Sequence, residues 1–111
     1  MKHIFIINSI SGKGKAKKMA PIIEEVCKDM NIDYELIYTK YHGHIREIAS
    51  SYTSKDDVTL YSVGGDGTIL EILNGIDPGI PLGAIPGGSG EDFFRYQKIY
   101  KRYNRSKSNK D

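Results

Sequence analysis

Three glycine-rich stretches in this sequence bring small residues and polar side chains together in a way suited to holding an anion. They are Asn8-Ser9-Ile10-Ser11-Gly12-Lys13-Gly14, Gly64-Gly65-Asp66-Gly67-Thr68, and Pro86-Gly87-Gly88-Ser89-Gly90-Glu91-Asp92-Phe93. Glycine lets backbone N–H groups approach a phosphate closely, and the N-terminus of a following helix adds partial positive charge. The second stretch is the most demanding. Three glycines in four positions cost backbone entropy, so close approach of a ligand or a positive φ must require them. Asp66 in their midst would repel bare phosphate, which points to magnesium, a hydroxyl substrate, or both. Asp92 is a second carboxylate able to share such a metal. Ser89 offers a hydroxyl to a phosphate or a ribose, or a helix cap paired with Asp92 three residues on. Thr68 and Glu71 also fit a capping box, Thr-x-x-Glu ahead of an apolar run, which satisfies orphan amides at a helix start. The first stretch lacks the spacing of a Walker A loop and of Gly-x-Gly-x-x-Gly. By itself it suits a plain strand-to-helix turn as well as an anion.

The elements that must position these loops alternate strand, loop and helix. Residues 3–7 are a buried strand rich in Ile and Phe, followed by a loop over residues 8–15. Ile22, Ile23, Val26, Cys27 and Met30 recur at helical spacing between about Lys17 and Met30. Pro21 fits there only if it lies in the first turn. Residues 33–38 suit a second strand, and Ile45, Ile48, Ala49 and Tyr52 a second helix. Val58 to Val63 is a third strand, Thr68 to Ile76 a short apolar helix stopped at Asn74-Gly75. Ile80 to Ile85 is a fourth strand, and a last helix opens near Glu91 and runs to Tyr100. This order predicts an α/β fold, a doubly wound and mostly parallel sheet with flanking helices. In such sheets ligands bind beyond the carboxyl ends of the strands, where all three loops fall.

At 111 residues the chain suits one domain. Composition is that of a soluble globular protein, 39% hydrophobic and 27% charged. No apolar run approaches the roughly 20 residues of a membrane span. The single cysteine, Cys27, falls on the apolar face of the first helix, where it reads as a small buried hydrophobe. It has no internal partner, which suits a reducing cytoplasm. The net charge of +2 is unevenly spread. Lys13, Lys15, Lys17 and Lys18 cluster near the first loop, suiting phosphate or an acidic membrane surface, or simply a solvated face. Residues 101–111 form a basic tail without apolar periodicity. It lacks the aromatic interleaving of a nucleic-acid binder, and nucleic acid is not expected as a partner.

Taken together, the three loops resemble the catalytic domain of the diacylglycerol and sphingosine kinase family. Asn8 to Gly12 match its first loop, Gly64 to Thr68 with Glu71 and Asn74-Gly75 its second motif, and Pro86 to Phe93 its third. The Gly-Gly-Asp-Gly core is shared with NAD kinases and phosphofructokinases, whose N-terminal domains have the same kind of fold. The resemblance implies that residues 1–100 are a nucleotide-binding domain. ATP would bind at Asn8, Ser9, Ile10, Ser11 and Gly12, at Gly64, Gly65, Asp66, Gly67, Thr68 and Glu71, at Ser89, and at a threonine after the second strand, here Thr39. Asp66 and Asp92 would take part in a magnesium–water network. The γ-phosphoryl of ATP would pass to a lipid hydroxyl, with diacylglycerol the leading acceptor.

The chain departs from the family pattern in three ways. Ser9 stands for a proline, Glu91 for an asparagine, and the larger β-rich domain expected to supply the general base is absent from these residues. The resemblance therefore implies a chain with little or no kinase activity by itself. A NAD kinase-like enzyme fragment and a non-catalytic binding module are the alternative readings. Peripheral membrane contact and a homodimer are the further partner expectations. His42 and His44, just past Thr39, read as surface or helix-start residues.

Overall fold

The structure, a computed structural model, describes residues 1–10 and 14–86. The expected helix near residues 91–100, the basic tail, and the sites at Ser11, Gly12, Ser89 and Asp92 lie outside the described residues.

Four strands carry the domain: β1 (Lys2–Ile7), β2 (Tyr34–Tyr38), β3 (Val58–Gly64) and β4 (Leu82–Pro86). They form one parallel sheet in the order β2-β1-β3-β4. Three helices connect them: α1 (Ala20–Asp29), α2 (His44–Ser50) and α3 (Asp66–Leu73). The chain thus winds outward in both directions from β1 and β3, which makes the gap between their carboxyl ends the topological switch point.

Strand alternation divides the core in two. On one face Phe5, Ile7, Val63 and Ile85 meet Met19, Ala20, Ile23 and Cys27 from α1 and the 3₁₀ turn before it (Lys17–Met19). On the other, Ile4, Ile6, Val58 and Leu60 meet Ile48 and Ala49 of α2 and Ile72 of α3. Cys27 is buried, as its place in the helical pattern requires. Burial, with Glu24 adding its charge, pushes the thiol up to about 11.

Local chemistry sets the ends of these elements. Pro21 stands in the first turn of α1, where its missing N–H costs nothing. Asn31 ends that helix in the left-handed region (φ 53°), and Ile32 N–H donates back to the Cys27 carbonyl at 2.9 Å. The fourth strand begins two residues later than the apolar pattern suggests. Pro81 has no N–H to give, and Ile80 instead closes a turn by donating to the Asp77 carbonyl at 3.0 Å. Gly75 follows α3 as expected, but a positive φ is not the reason. A Cβ there would lie 2.8 Å from the Arg46 carbonyl oxygen, so glycine lets α2 and α3 approach.

Candidate functional site

At the switch point the first and second loops are joined side chain to side chain. Asn8 continues β1, and its N–H donates to the Val63 carbonyl of β3 at 3.1 Å. Its Nδ2 donates to Thr68 Oγ1 at 3.0 Å, and its Oδ1 accepts from Ile10 N–H at 3.1 Å. Thr68 is buried, and Gly64 lies so close that a Cβ on it would sit 2.5 Å from Thr68 Oγ1. Gly64 is therefore a packing glycine, and its φ of 158° is one that side-chain-bearing residues rarely adopt.

These contacts correct the capping-box expectation. Helix α3 starts at Asp66 after an extended Gly65 (φ −100°, ψ −167°), two residues earlier than the sequence pattern suggests. Thr68 stands inside the first turn and is engaged by Asn8, so it does not cap the helix. Glu71 pairs with Arg46 of α2 at 3.7 Å and does not reach back to the helix start. A side-chain partner 60 residues away in sequence outcompetes the local cap.

Gly65 and Gly67 behave differently from Gly64. A Cβ on either would meet nothing within 4 Å. The Asp66 and Gly67 amides have no acceptor inside the helix, whereas Thr68 N–H donates to the Gly65 carbonyl at 3.1 Å, and both glycines stand exposed beside an exposed Asp66. That combination fits a phosphate held by backbone N–H groups. Magnesium commonly uses one or two carboxylates together with phosphate oxygens and water, which Asp66 at the rim suits. Among the described residues no three His, Cys, Asp or Glu side chains gather as a closed metal cage.

Thr39 acts from the far side of the first loop. It is only 3% exposed, and its Oγ1 accepts from Ser9 N–H at 2.9 Å. Its own N–H donates to the Ile7 carbonyl at 3.0 Å. The threonine thus fixes the loop's path as it leaves β1, while Asn8 ties the same loop to α3.

Two cavities flank this pinned loop. One, of about 570 Å³, opens between α2 and α3 and is lined by Asn8, Ile10, Tyr41, His42, Gly43, Ile45, Arg46, Gly67 and Glu71. The other, of about 560 Å³, lies between the start of α1 and the end of β2, with Ser9, Thr39, Lys17 and Lys40 on its walls. Both fall within the ~300–1,000 Å³ typical of small-ligand sites. The first gathers four of the expected site residues, Asn8, Ile10, Gly67 and Glu71, and the second gathers Ser9 and Thr39.

Comparison with known proteins bears on the family and the fold. Residues 2–108 match the diacylglycerol kinase catalytic domain. The chain belongs to that family. It is 37% identical over 102 residues to sphingoid long-chain bases kinase 1 of Arabidopsis thaliana, covering 79% of this chain and 13% of the plant protein. It is 29% identical over 103 residues to sphingosine kinase 1 of the same plant, covering 85% of this chain and 21% of the relative. A crystal structure of a diacylglycerol kinase from Bacillus anthracis superposes with a TM-score of 0.55 at 28% identity, over 79% of this chain and 31% of that one. The chain spans less than a third of each.

Within this lipid kinase domain, sequence reasoning missed the wall formed by Tyr41, Ile45 and Arg46. The signal was present as an aromatic residue two places after Thr39. Its significance depends on the turn at Gly43 (φ 89°), which starts α2 and sets this segment against Gly67 and Glu71 across the cavity.

Proposed function

We propose that this chain is the ATP-holding part of a lipid kinase that transfers the γ-phosphoryl group to a lipid hydroxyl. One observation carries the reading beyond family membership. The α2–α3 cavity joins the first loop to Gly67 and Glu71 at the switch point of the sheet, beside two exposed glycines on which a side chain would meet nothing.

In this reading the base and ribose occupy the cavity, and the phosphates lie over Gly65 to Thr68. Asn8 and Thr39 act by holding the first loop rigid, which spares bound nucleotide the cost of ordering it. Asp66 holds magnesium through water, with Asp92 as its partner and Ser89 as a further phosphate or ribose contact. Magnesium when bound neutralises charge on the phosphate oxygens, and positioning does most of the rest. Diacylglycerol is the leading acceptor. A sphingoid base is the second, favoured by the 37% identity to a plant sphingoid base kinase.

Among the described residues no helix is long and apolar enough to cross a membrane. The lipid would be met at the cytoplasmic membrane surface, with the exposed Lys15, Lys17 and Lys18 toward anionic headgroups. The 111-residue chain by itself is expected to turn over little or no lipid, because transfer needs a general base and a lipid site opposite the nucleotide.

Titration with Mg·ATP, followed by amide chemical shifts, tests the reading. Saturable shifts at Gly65 to Thr68 and Ile10 that Asp66→Ala weakens are expected. A folded chain that shows none at millimolar nucleotide overturns it. Robust lipid phosphorylation by the 111 residues alone would overturn the expectation of inactivity.

A further inference from the structure

This inference rests on the reading that the α2–α3 cavity takes a nucleotide, and it concerns what holds the base. The segment between β2 and α2 contributes an aromatic ring to the cavity wall, Tyr41, which is 48% exposed. An exposed tyrosine is ordinarily free to move, but this one is clamped. The His44 imidazole lies against the ring, with centroids 4.5 Å apart and 12° between the planes. The imidazole is itself fixed, because its Nδ1 accepts from Lys40 N–H at 2.9 Å. That bond places the proton of the neutral ring on Nε2. The Tyr41 hydroxyl donates to the Glu47 carboxylate, a bond that raises the phenol above its ordinary range.

His44 and Glu47 stand three apart in the first turn of α2, so they share one helix face and both reach back to Tyr41. His44 is absent from the cavity lining while Tyr41 belongs to it. The imidazole thus supports the ring without itself lining the cavity. Ile10 and Ile45 supply apolar surface to the same volume.

We propose that Tyr41 is the stacking wall for the purine base of the nucleotide, held in its working orientation by His44 and Glu47. A flat aromatic face suits a planar base, and a ring already fixed at its face and its hydroxyl loses little freedom when the base arrives. Tyr41 is then a binding residue, and His44 and Glu47 are positioning residues acting through it.

The test compares Mg·ATP with Mg·tripolyphosphate, which has the phosphates without the base, on the full 111-residue chain. Tyr41→Ala is expected to raise the Mg·ATP Kd about five- to hundred-fold, the range set by base–aromatic stacking. Tripolyphosphate shifts at Gly65 and Thr68 should stay unchanged. Upfield ring-current shifts of adenine H2 and H8 should appear in the wild type and vanish in this variant. Tyr41→Phe, which keeps the ring, should retain most of the affinity, and His44→Ala should lose part of it. Equal weakening of both ligands by Tyr41→Ala, or unchanged Mg·ATP binding, overturns the stacking wall and leaves the nucleotide reading standing. A wild-type chain silent to both ligands overturns the two together.

Discussion

The two faces of the sheet are built from the same four strands yet do different work. The α1 face is closed by a ten-residue helix and an apolar set including Phe5, Met19, Ile23 and Cys27, with Thr59 a buried polar residue on the same side of β3 as Val63. The other face is closed by helices of seven and eight residues, too short to persist without packing. It also contains polar groups. Thr68 is buried and bonded to Asn8, and Ser62, facing the same way as Leu60 by strand alternation, is 1% exposed, its hydroxyl without a partner among the described residues. Each face has its own apolar cluster and a cavity at its edge, but only on the second does the cavity open between two short helices. The difference teaches that the α2–α3 cavity depends on helices that only tertiary packing holds in place.

The largest expected effects test that division directly. Ile23→Ala and Ile72→Ala each remove a fully buried isoleucine, one per face, and should each cost about 2–5 kcal/mol in denaturant unfolding. Only Ile72→Ala should also weaken Mg·ATP, because Ile72 seats the helix that begins at Asp66. Equal loss of nucleotide affinity in the two variants would break the comparison.

Next come the glycines within the second loop. Gly64→Ala drives a Cβ to 2.5 Å from Thr68 Oγ1, which Asn8 holds in place, and should cost roughly 1–3 kcal/mol. Gly67→Ala lies in open space inside α3 and should stabilise the fold by about 0.5–1 kcal/mol while weakening Mg·ATP. Paired melts and titrations decide this; a stabilised Gly67→Ala with undiminished affinity would remove Gly67 from the site.

Ser62→Ala keeps nearly the same shape and deletes a buried hydroxyl that has no partner among the described residues. It should raise stability by about 1 kcal/mol, read as a higher denaturant midpoint at constant slope. A lower midpoint would show that the hydroxyl is satisfied in solution.

The last test belongs to the α1 face and is confined to alkaline pH. Cys27 titrates in the folded chain at about 11, above its ordinary 9.0, so the folded state keeps the proton that the unfolded state releases. Its contribution is fully present below pH about 9 and is lost as pH rises toward about 11. Melting temperatures of wild type and Cys27→Ala across that window should converge as pH rises. Parallel curves would place the alkaline loss elsewhere.

Much of this was legible in the sequence because it is local. Apolar spacing of 2 and of 3.6 residues fixed the order of strands and helices, and with it the parallel doubly wound fold and the loops at its carboxyl edge. The glycines and Asp66 of the second loop pointed to a candidate anion site by their own chemistry. Tertiary structure decided which glycine serves which end. Gly64 is needed for Thr68, Gly75 for the Arg46 carbonyl, and Gly65 and Gly67 for neither. It likewise turned the apparent cap at Thr68 and Glu71 into a bond to Asn8 and a pair with Arg46, and set Tyr41 against His44 on a cavity wall. The physical reason is range. Periodicity and capping act over a few residues, whereas Ser9 meets Thr39 across 30 positions and Asn8 meets Thr68 across 60, and only the closed sheet brings them together.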